Sequence, residues 1–207
     1  MFLLRVQLPE SPGALGRVAS AVGAINANIH SLEIIDHGPG YAIDDFMVEL
    51  PAGVLPDTLV SACQEVPGVR ILWVSRHHSD WSVESDISVL NRMSEAPDQA
   101  GQILTQEAPV VFHSTWAALL LRVNPVRVLQ ATDLAPDFAA DGVAALGDLT
   151  QARAFELPAE WLPQWGETLI ALAPLPGRRT IVIGRQGGPA YLTSELTRLQ
   201  HLAALAG

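Results

Sequence analysis

The stretch from Leu4 to Ile35 constrains the fold more than any other part of the chain. It opens with apolar residues at every second position, the period of a half-buried strand: Leu4, Val6 and Leu8. Ser11 is predicted to cap a helix that begins at Pro12, because proline there has a preset φ and loses no useful donor. An apolar stripe at helical spacing follows: Leu15, Val18, Ala19 and Val22. A second extended run begins at Asn28, so the stretch predicts strand, turn, helix and strand.

The predicted turn also has chemical consequences. A strand that leads directly into a helix leaves backbone N–H groups free at the helix N-terminus, where the helix dipole is positive. Such a turn can bind a small anion, for example the carboxylate of an amino acid. Gly13 and Gly16 leave room there for close approach by a ligand or by packed backbone.

Three further elements complete the first domain. Tyr41–Leu50 and Val69–Val74 are predicted strands, and Leu59, Ala62, Cys63 and Val66 form one face of a helix between them. The order β-α-β-β-α-β is the ferredoxin-like pattern, with a four-stranded antiparallel sheet and both helices on one face. The other face must be covered by a partner subunit, the second domain or a ligand.

The turn carries a family resemblance. The run Glu10–Ala19, followed by Asn26–Ile29, resembles the opening of an ACT domain, and the resemblance covers about residues 1–77. ACT domains are regulatory modules that bind amino acids or similar small molecules, usually across a dimer interface. The resemblance therefore implies a homodimer or a higher homo-oligomer. It also implies ligand-binding positions at Pro9, Glu10, Ser11, Gly13, Ala14, Leu15, Asn28 and Ile29.

Two of these positions have both functional and structural interpretations. Asn28 can donate to and accept from an amino-acid head group, although asparagine is also common where a strand begins. Glu10 can pair with a ligand ammonium, or it can simply be an acid stabilised near a helix N-terminus. Asp44 and Asp45 lie mid-strand, and solvated charge is favoured there over a partner arginine or a ligand ammonium.

Composition excludes several classes of partner. The chain has 12 basic residues, all of them arginine and without a basic run, and a formal net charge of −10. Nucleic-acid binding and anionic membrane binding are therefore not expected. Cys63 is the sole cysteine, which excludes an intramolecular disulfide and a cysteine zinc cluster. No apolar run reaches the roughly 18 residues that span a bilayer, so a cytoplasmic protein is expected.

The second half begins after a polar segment. Residues 78–83 are predicted to be a linker, and the adjacent His77 and His78 are favoured as linker rather than metal ligands. A helical pattern then runs to residue 107, broken at Pro97 and ended by Pro109. Hairpins and a short helix follow, with a helical turn over 161–166. Thr193 or Ser194 is predicted to cap a final helix.

This order resembles a GAF domain over about residues 84–207, most closely in the run Ile181–Leu196. GAF domains hold small ligands in a cavity above an antiparallel sheet, or serve as dimerising sensors. The whole chain is thus predicted to be α+β, an ACT domain followed by a GAF-like antiparallel sheet with flanking helices. His113, Trp116 and Arg153 are candidates for a second pocket, although tryptophan more often fills a core.

No catalytic, cofactor or metal motif is apparent. The expected function is a non-catalytic, allosteric ligand sensor that binds an amino acid at the ACT dimer interface and relays the event to the GAF-like domain. Two alternatives remain open. One is a dimerising scaffold without a ligand, and the other is a small-molecule enzyme that uses a pocket in the second half.

Overall fold

A computed structural model of the chain describes residues 1–76, 83–138, 140–157, 161 and 167–207. The chain divides into two units, Met1–Asp80 and Trp81–Gly207. The predicted linker, with His77 and His78, lies outside the described residues apart from Val83, which begins a helix. The predicted helical turn over 161–166 also lies outside them except for Trp161.

The first unit has the predicted β-α-β-β-α-β order. Its four strands form one sheet in the order β2-β3-β1-β4, and neighbouring strands are antiparallel. The elements are β1 (Phe2–Pro9), α1 (Ala14–Ala24), β2 (Asn28–Gly38), β3 (Tyr41–Glu49), α2 (Pro56–Gln64) and β4 (Arg70–Arg76).

One face of this sheet packs against the two helices. Its core combines alternate residues of β1 and β3 with the apolar faces of α1 and α2: Leu4, Val6, Leu8, Phe46, Val48, Val18, Val22, Leu59 and Cys63. Cys63 is fully buried, and burial raises the pKa of its thiol to about 11. Cys63 is therefore a neutral core residue, as its helical position predicts.

The helix cap differs from the prediction. Gly13, not Ser11, is the N-cap of α1, with a left-handed φ of 80°. Ser11 instead opens a type II turn, in which Pro12 and Gly13 are the central residues and the Ala14 N–H donates to the Ser11 carbonyl at 3.1 Å. Glycine is favoured at the third position of this turn because it adopts positive φ without strain.

The opposite face of the sheet contains a buried ion pair. Nε and Nη2 of Arg5 each donate to one carboxylate oxygen of Asp45 at 2.7 Å, and both residues are almost fully buried. Arg5 and Asp45 lie directly opposite each other on β1 and β3, the central strands. The prediction that the Asp44–Asp45 pair is solvated charge is wrong, because β3 lies inside the sheet and both carboxylates are buried.

The second unit is a five-stranded antiparallel sheet with helices, in the order β6-β5-β9-β8-β7. The α+β fold class is therefore confirmed for the chain. The elements are α3 (Val83–Glu95), a 3-10 turn (Pro97–Gln99), α4 (Ala100–Val111), β5 (Trp116–Leu121), β6 (Arg127–Ala131), α5 (Ala140–Ala145), β7 (Arg153–Leu157), β8 (Thr168–Leu175), β9 (Arg179–Gln186) and α6 (Thr193–Leu205).

Both faces of this second sheet are covered. Residues of α3, α4 and α6 pack on one face against β5, β8 and β9. Trp116, Ile170 and Val182 lie in a separate core on the other face, together with Leu146 and Leu149. Among the described residues, no helix combines the length and the apolar character needed to cross a bilayer.

Two predicted helix boundaries in this unit are wrong. Helix α4 continues through Pro109 to Val111. Proline removes only one hydrogen bond when it lies in the last turn of a helix, and the Pro109 carbonyl still accepts from the Ser114 N–H. The cap of α6 is Leu192 rather than Thr193 or Ser194. The Glu195 carboxylate fulfils the capping role by accepting the Leu192 N–H at 2.8 Å.

The Arg5–Asp45 pair gives a stability prediction. Arg5→Leu should lower the free energy of unfolding by about 3–5 kcal/mol, because it leaves a buried carboxylate without its main partner. Replacing both residues by leucine should recover much of that loss. Urea denaturation followed by far-UV circular dichroism would measure both effects.

The matched control is Glu49→Gln, which breaks the exposed His30–Glu49 pair. It should change the free energy of unfolding by less than about 0.5 kcal/mol. An Arg5→Leu variant as stable as this control would contradict the role given to the buried pair.

Candidate functional site

The first unit has a pocket of about 280 Å³ at the β1–α1 turn. Five of the eight predicted ligand residues line it: Pro9, Glu10, Ser11, Ala14 and Leu15. The rest of its wall comes from the same turn and from the neighbouring strands: Leu8, Pro12, Ile34, Ala42 and Asp44. The sequence motif and the pocket therefore coincide.

The helix N-terminus at this pocket can accept an anion. No side chain caps α1, and its first turn contains no acidic residue. The backbone N–H groups of Leu15, which lines the pocket, and of Gly16, the next residue of the helix, donate to no acceptor within the described part of the chain. Two free donors and an uncompensated positive helix end together favour a carboxylate or a similar small anion.

Asp44 supplies a charge of opposite sign in the same pocket. It lies on β3 directly between Val6 of β1 and Ile34 of β2, on the sheet face that packs against the helices. Its side chain is only 2% exposed, and its Oδ1 atom accepts no hydrogen bond from any described residue. A buried carboxylate without a donor is costly, so its position requires an explanation.

The surroundings of Asp44 also shift its acidity. Burial raises the pKa of the Asp44 carboxyl above its ordinary value, the nearby His37 opposes that increase, and the neighbouring Asp45 adds to it. The carboxyl thus lacks the electrostatic support that Arg5 gives to Asp45.

Three predicted ligand residues do not line the pocket. Gly13 belongs to the turn as the N-cap of α1. Asn28 and Ile29 lie at the far end of β2, opposite Glu49 and Val48, whereas Pro9 pairs with Tyr41 at the other end of β3. Asn28 is exposed on this edge strand, and Ile29 packs against the helix-side core. One copy of the chain does not bring Asn28 to the turn.

A larger groove of about 530 Å³ lies between α1 and α2. Its lining includes Arg17, Ala21, Ser61 and Glu65, and contains none of the predicted ligand residues. It has neither the helix N-terminus nor the buried unpaired carboxylate. The smaller pocket is therefore the better candidate for a specific site.

The three residues proposed for a second pocket are only partly grouped. Trp116 and Arg153 lie on the same face of the second sheet, as the strand registers show. Trp116 is fully buried, and its indole ring lies against the Cα of Gly184. The ring also makes an edge-to-face contact with Phe138, with 5.6 Å between the ring centroids. The Arg153 guanidinium lies 4.4 Å above the centre of the Phe155 ring and donates to the Leu146 carbonyl.

His113 lies elsewhere, at the end of α4. Its carbonyl accepts from Nε of the buried Arg185 at 3.2 Å. The same guanidinium binds the Phe112 carbonyl and the Glu195 carboxylate, both at 2.8 Å, and stacks on Tyr191. Arg185 thus joins the ends of α4 and α6 to β9, which is a structural role.

Asp44 is the residue that motif matching did not identify. The alternation that assigns Phe46 and Val48 to the helix face also assigns Asp44 to it, two positions earlier. An acid at a position expected to be apolar was therefore the available signal. Among the described residues, no three His, Cys, Asp or Glu side chains are grouped so as to hold a metal ion.

Comparison with known proteins does not show a family for the chain. No protein family profile matches it. NAD-dependent malic enzyme 1 of Bacillus subtilis (strain 168) is 32% identical over 73 residues, which is 35% of this chain and 17% of that enzyme. The chain thus spans about one sixth of the length of that curated relative.

Three solved structures are distant matches. The GAF domain of a protein described as a sensor histidine kinase from Pseudomonas syringae pv. tomato is 15% identical with a TM-score of 0.42, covering 60% of this chain and 81% of that domain. A formyltetrahydrofolate deformylase from Pseudomonas putida KT2440 is 11% identical with a TM-score of 0.33, covering 46% of this chain and 38% of the deformylase. A protein of unknown function from Galdieria sulphuraria is 17% identical with a TM-score of 0.33, covering 96% of this chain and 89% of that one.

The environment of Asp44 predicts an unusual stability effect. Because the pKa of Asp44 is raised in the folded chain, the folded state binds this proton more tightly than the unfolded state does. Stability is therefore lost as the pH rises through that raised pKa. Asp44→Asn should raise the Tm of the ligand-free chain at pH 7, and by less at pH 4, in thermal unfolding.

Asp57→Asn is the matched control, since Asp57 is exposed in the first turn of α2. It should show no such gain, because its carboxylate is solvated and stabilises a helix N-terminus. A fall in Tm for Asp44→Asn at pH 7 would mean that the native fold uses this carboxylate.

Proposed function

We propose that the chain is a regulatory protein whose first unit is an ACT-type module that binds a free amino acid at the β1–α1 turn. The observation that carries the proposal is the pocket at this turn, walled by the uncapped N-terminus of α1. The resemblance of Glu10–Ala19 to the ACT opening supports the same site independently. The ligand carboxylate is assigned to the free N–H groups of Leu15 and Gly16.

The site is proposed to be completed by a second copy of the chain. Asn28 lies at the far end of β2 from the pocket, so its predicted role in binding requires a neighbouring subunit. Strand β2 is an edge strand and exposes Leu32 and Ile34 on its helix-side face, at 38% and 53%. An apolar edge strand is a suitable surface for pairing between copies.

In this proposal the response is transmitted by differential binding. An amino acid that contacts two copies stabilises the arrangement in which both contacts are made. The second, GAF-like unit would then respond to that change in arrangement. The chain has no proposed catalytic role.

The first test is thermal unfolding of the whole chain against each of the twenty amino acids. An amino acid present at 100 times its dissociation constant should add about 2.7 kcal/mol of stability, which raises the Tm by several degrees. A panel without any shift would contradict amino-acid binding.

The role of Asn28 is tested in the same assay. Asn28→Ala should abolish the shift without changing the Tm of the ligand-free chain, because the side chain is exposed. Asn91→Ala, an exposed asparagine on α3, is the matched control and should keep the full shift. Sedimentation velocity with and without the amino acid would report whether the oligomeric state changes.

A dimerising scaffold is the second candidate, favoured by the exposed apolar pair Leu32 and Ile34 on edge strand β2. It predicts that Leu32→Glu disrupts self-association, and that no amino acid affects either the Tm or the sedimentation coefficient. The panel above therefore separates the two candidates.

A further inference from the structure

We infer that Asp44 binds the ammonium group of the ligand, so that the pocket selects free amino acids over carboxylic acids that lack an amine. This inference rests on the proposed amino-acid site and adds the group that defines its ligand class. It changes the assignment made from sequence, in which Glu10 was the first candidate for the ammonium and an ammonium at Asp44 or Asp45 was the less favoured alternative.

The position of Asp44 supports this role. Asp44 lines the pocket together with Ser11 of the turn and with Ala14 and Leu15 of the first turn of α1. The site therefore has a negative group on the sheet and free N–H donors on the helix. An amino acid has the complementary pair, an ammonium and a carboxylate attached to one carbon atom.

The hydrogen bonding of Asp44 supports it as well. The Oδ1 atom is buried and has no donor among the described residues, although ionised carboxylates form strong charge-assisted hydrogen bonds wherever donors are present. A bound ammonium would supply up to three N–H donors to the Asp44 carboxylate. Within the described part of the chain, Asp44 therefore has no hydrogen-bond donor at Oδ1, and it lines the pocket in which a ligand would bind.

The neighbouring aspartate provides an internal comparison. Asp45 is equally buried, and the chain supplies Arg5 to bind both of its oxygens. Thus, among the described residues, Asp45 has donors for both of its oxygens and Asp44 has none at Oδ1. This difference is expected if Asp45 holds the sheet together and Asp44 holds a ligand.

Glu10 is a weaker candidate for the same role. It is exposed at the rim of the pocket, where water competes for its carboxylate and long side chains lose entropy when they pair. A buried carboxylate discriminates more strongly, because an uncharged hydroxyl in place of the ammonium leaves the desolvated charge without compensation.

The experiment compares three matched ligands by isothermal titration calorimetry with the whole chain. Each amino acid that raises the Tm in the panel is titrated beside its 2-hydroxy acid, which lacks the ammonium, and beside its amide, which lacks the carboxylate charge. Wild type should bind the amino acid about 10- to 100-fold more tightly than the hydroxy acid. In Asp44→Asn this preference should disappear.

The amide separates the two ends of the site. It keeps the ammonium, so Asp44→Asn should weaken its binding by the same factor as for the amino acid. Asp57→Asn is the control for an Asp-to-Asn change in the same unit and should keep the wild-type preference. The preference is a ratio within each variant, so a general loss of affinity does not mimic the result.

Several outcomes would overturn the inference while leaving the proposed function in place. In the first, the amino acid binds Asp44→Asn as tightly as it binds wild type. In the second, the hydroxy acid binds wild type as tightly as the amino acid does. In the third, the preference for the amino acid is lost in Glu10→Gln but kept in Asp44→Asn. A ligand-free Asp44→Asn chain with a lower Tm than wild type would assign the carboxylate to structure instead. A panel in which no amino acid binds would overturn both proposals.

Discussion

The buried Arg5–Asp45 pair fixes the register of the two central strands of the first sheet, and the site depends on that register. A strand that slips by one residue turns every side chain to the opposite face. Such a slip of β3 would move Asp45 into the apolar helix-side core and remove Asp44 from the pocket. The bidentate pairing of Arg5 with Asp45 opposes it, because it forms only when the two residues lie opposite each other. A structural ion pair on one face thus determines where Asp44 stands on the other.

The turn before α1 is formed by backbone geometry and leaves the helix N-terminus without a side-chain cap. Pro12 and Gly13 complete a type II turn whose hydrogen bond joins Ala14 to Ser11, so the chain reverses without using a side chain as a cap. A serine cap would have satisfied one of the helix N–H groups, and an acid in the first turn would have neutralised the helix end. In the absence of both, the Leu15 and Gly16 N–H groups keep no acceptor among the described residues.

Most of the fold could be predicted because its signals are local. The two-residue period of β1 and the spacing of Val18 and Val22 indicate element type from neighbouring residues alone. The failures occurred where the decisive partner is distant or where two local rules compete. Ser11 is a residue type that commonly caps helices, but the left-handed Gly13 occupies the N-cap position. The burial of Asp44 follows only from the position of β3 between β1 and β2, which the sequence pattern does not give. In the same way, Glu195 of α6 accepts the Leu192 N–H at the start of its own helix while it also binds Arg185 of β9.

The predicted site residues likewise fall into a group that is local to one turn and a group that is distant from it. Those within one local turn, such as Ser11 and Leu15, do line a common pocket, whereas Asn28 lies at the far end of β2. Strand β2 links the two locations, because its Ile34 forms a wall of the pocket and is also exposed on the sheet edge. A ligand in the pocket and a second copy on this edge would contact the same residue, so each would alter the free energy of binding of the other. Coupling between ligand and self-association then needs no long pathway through the protein, only one side chain that belongs to both surfaces.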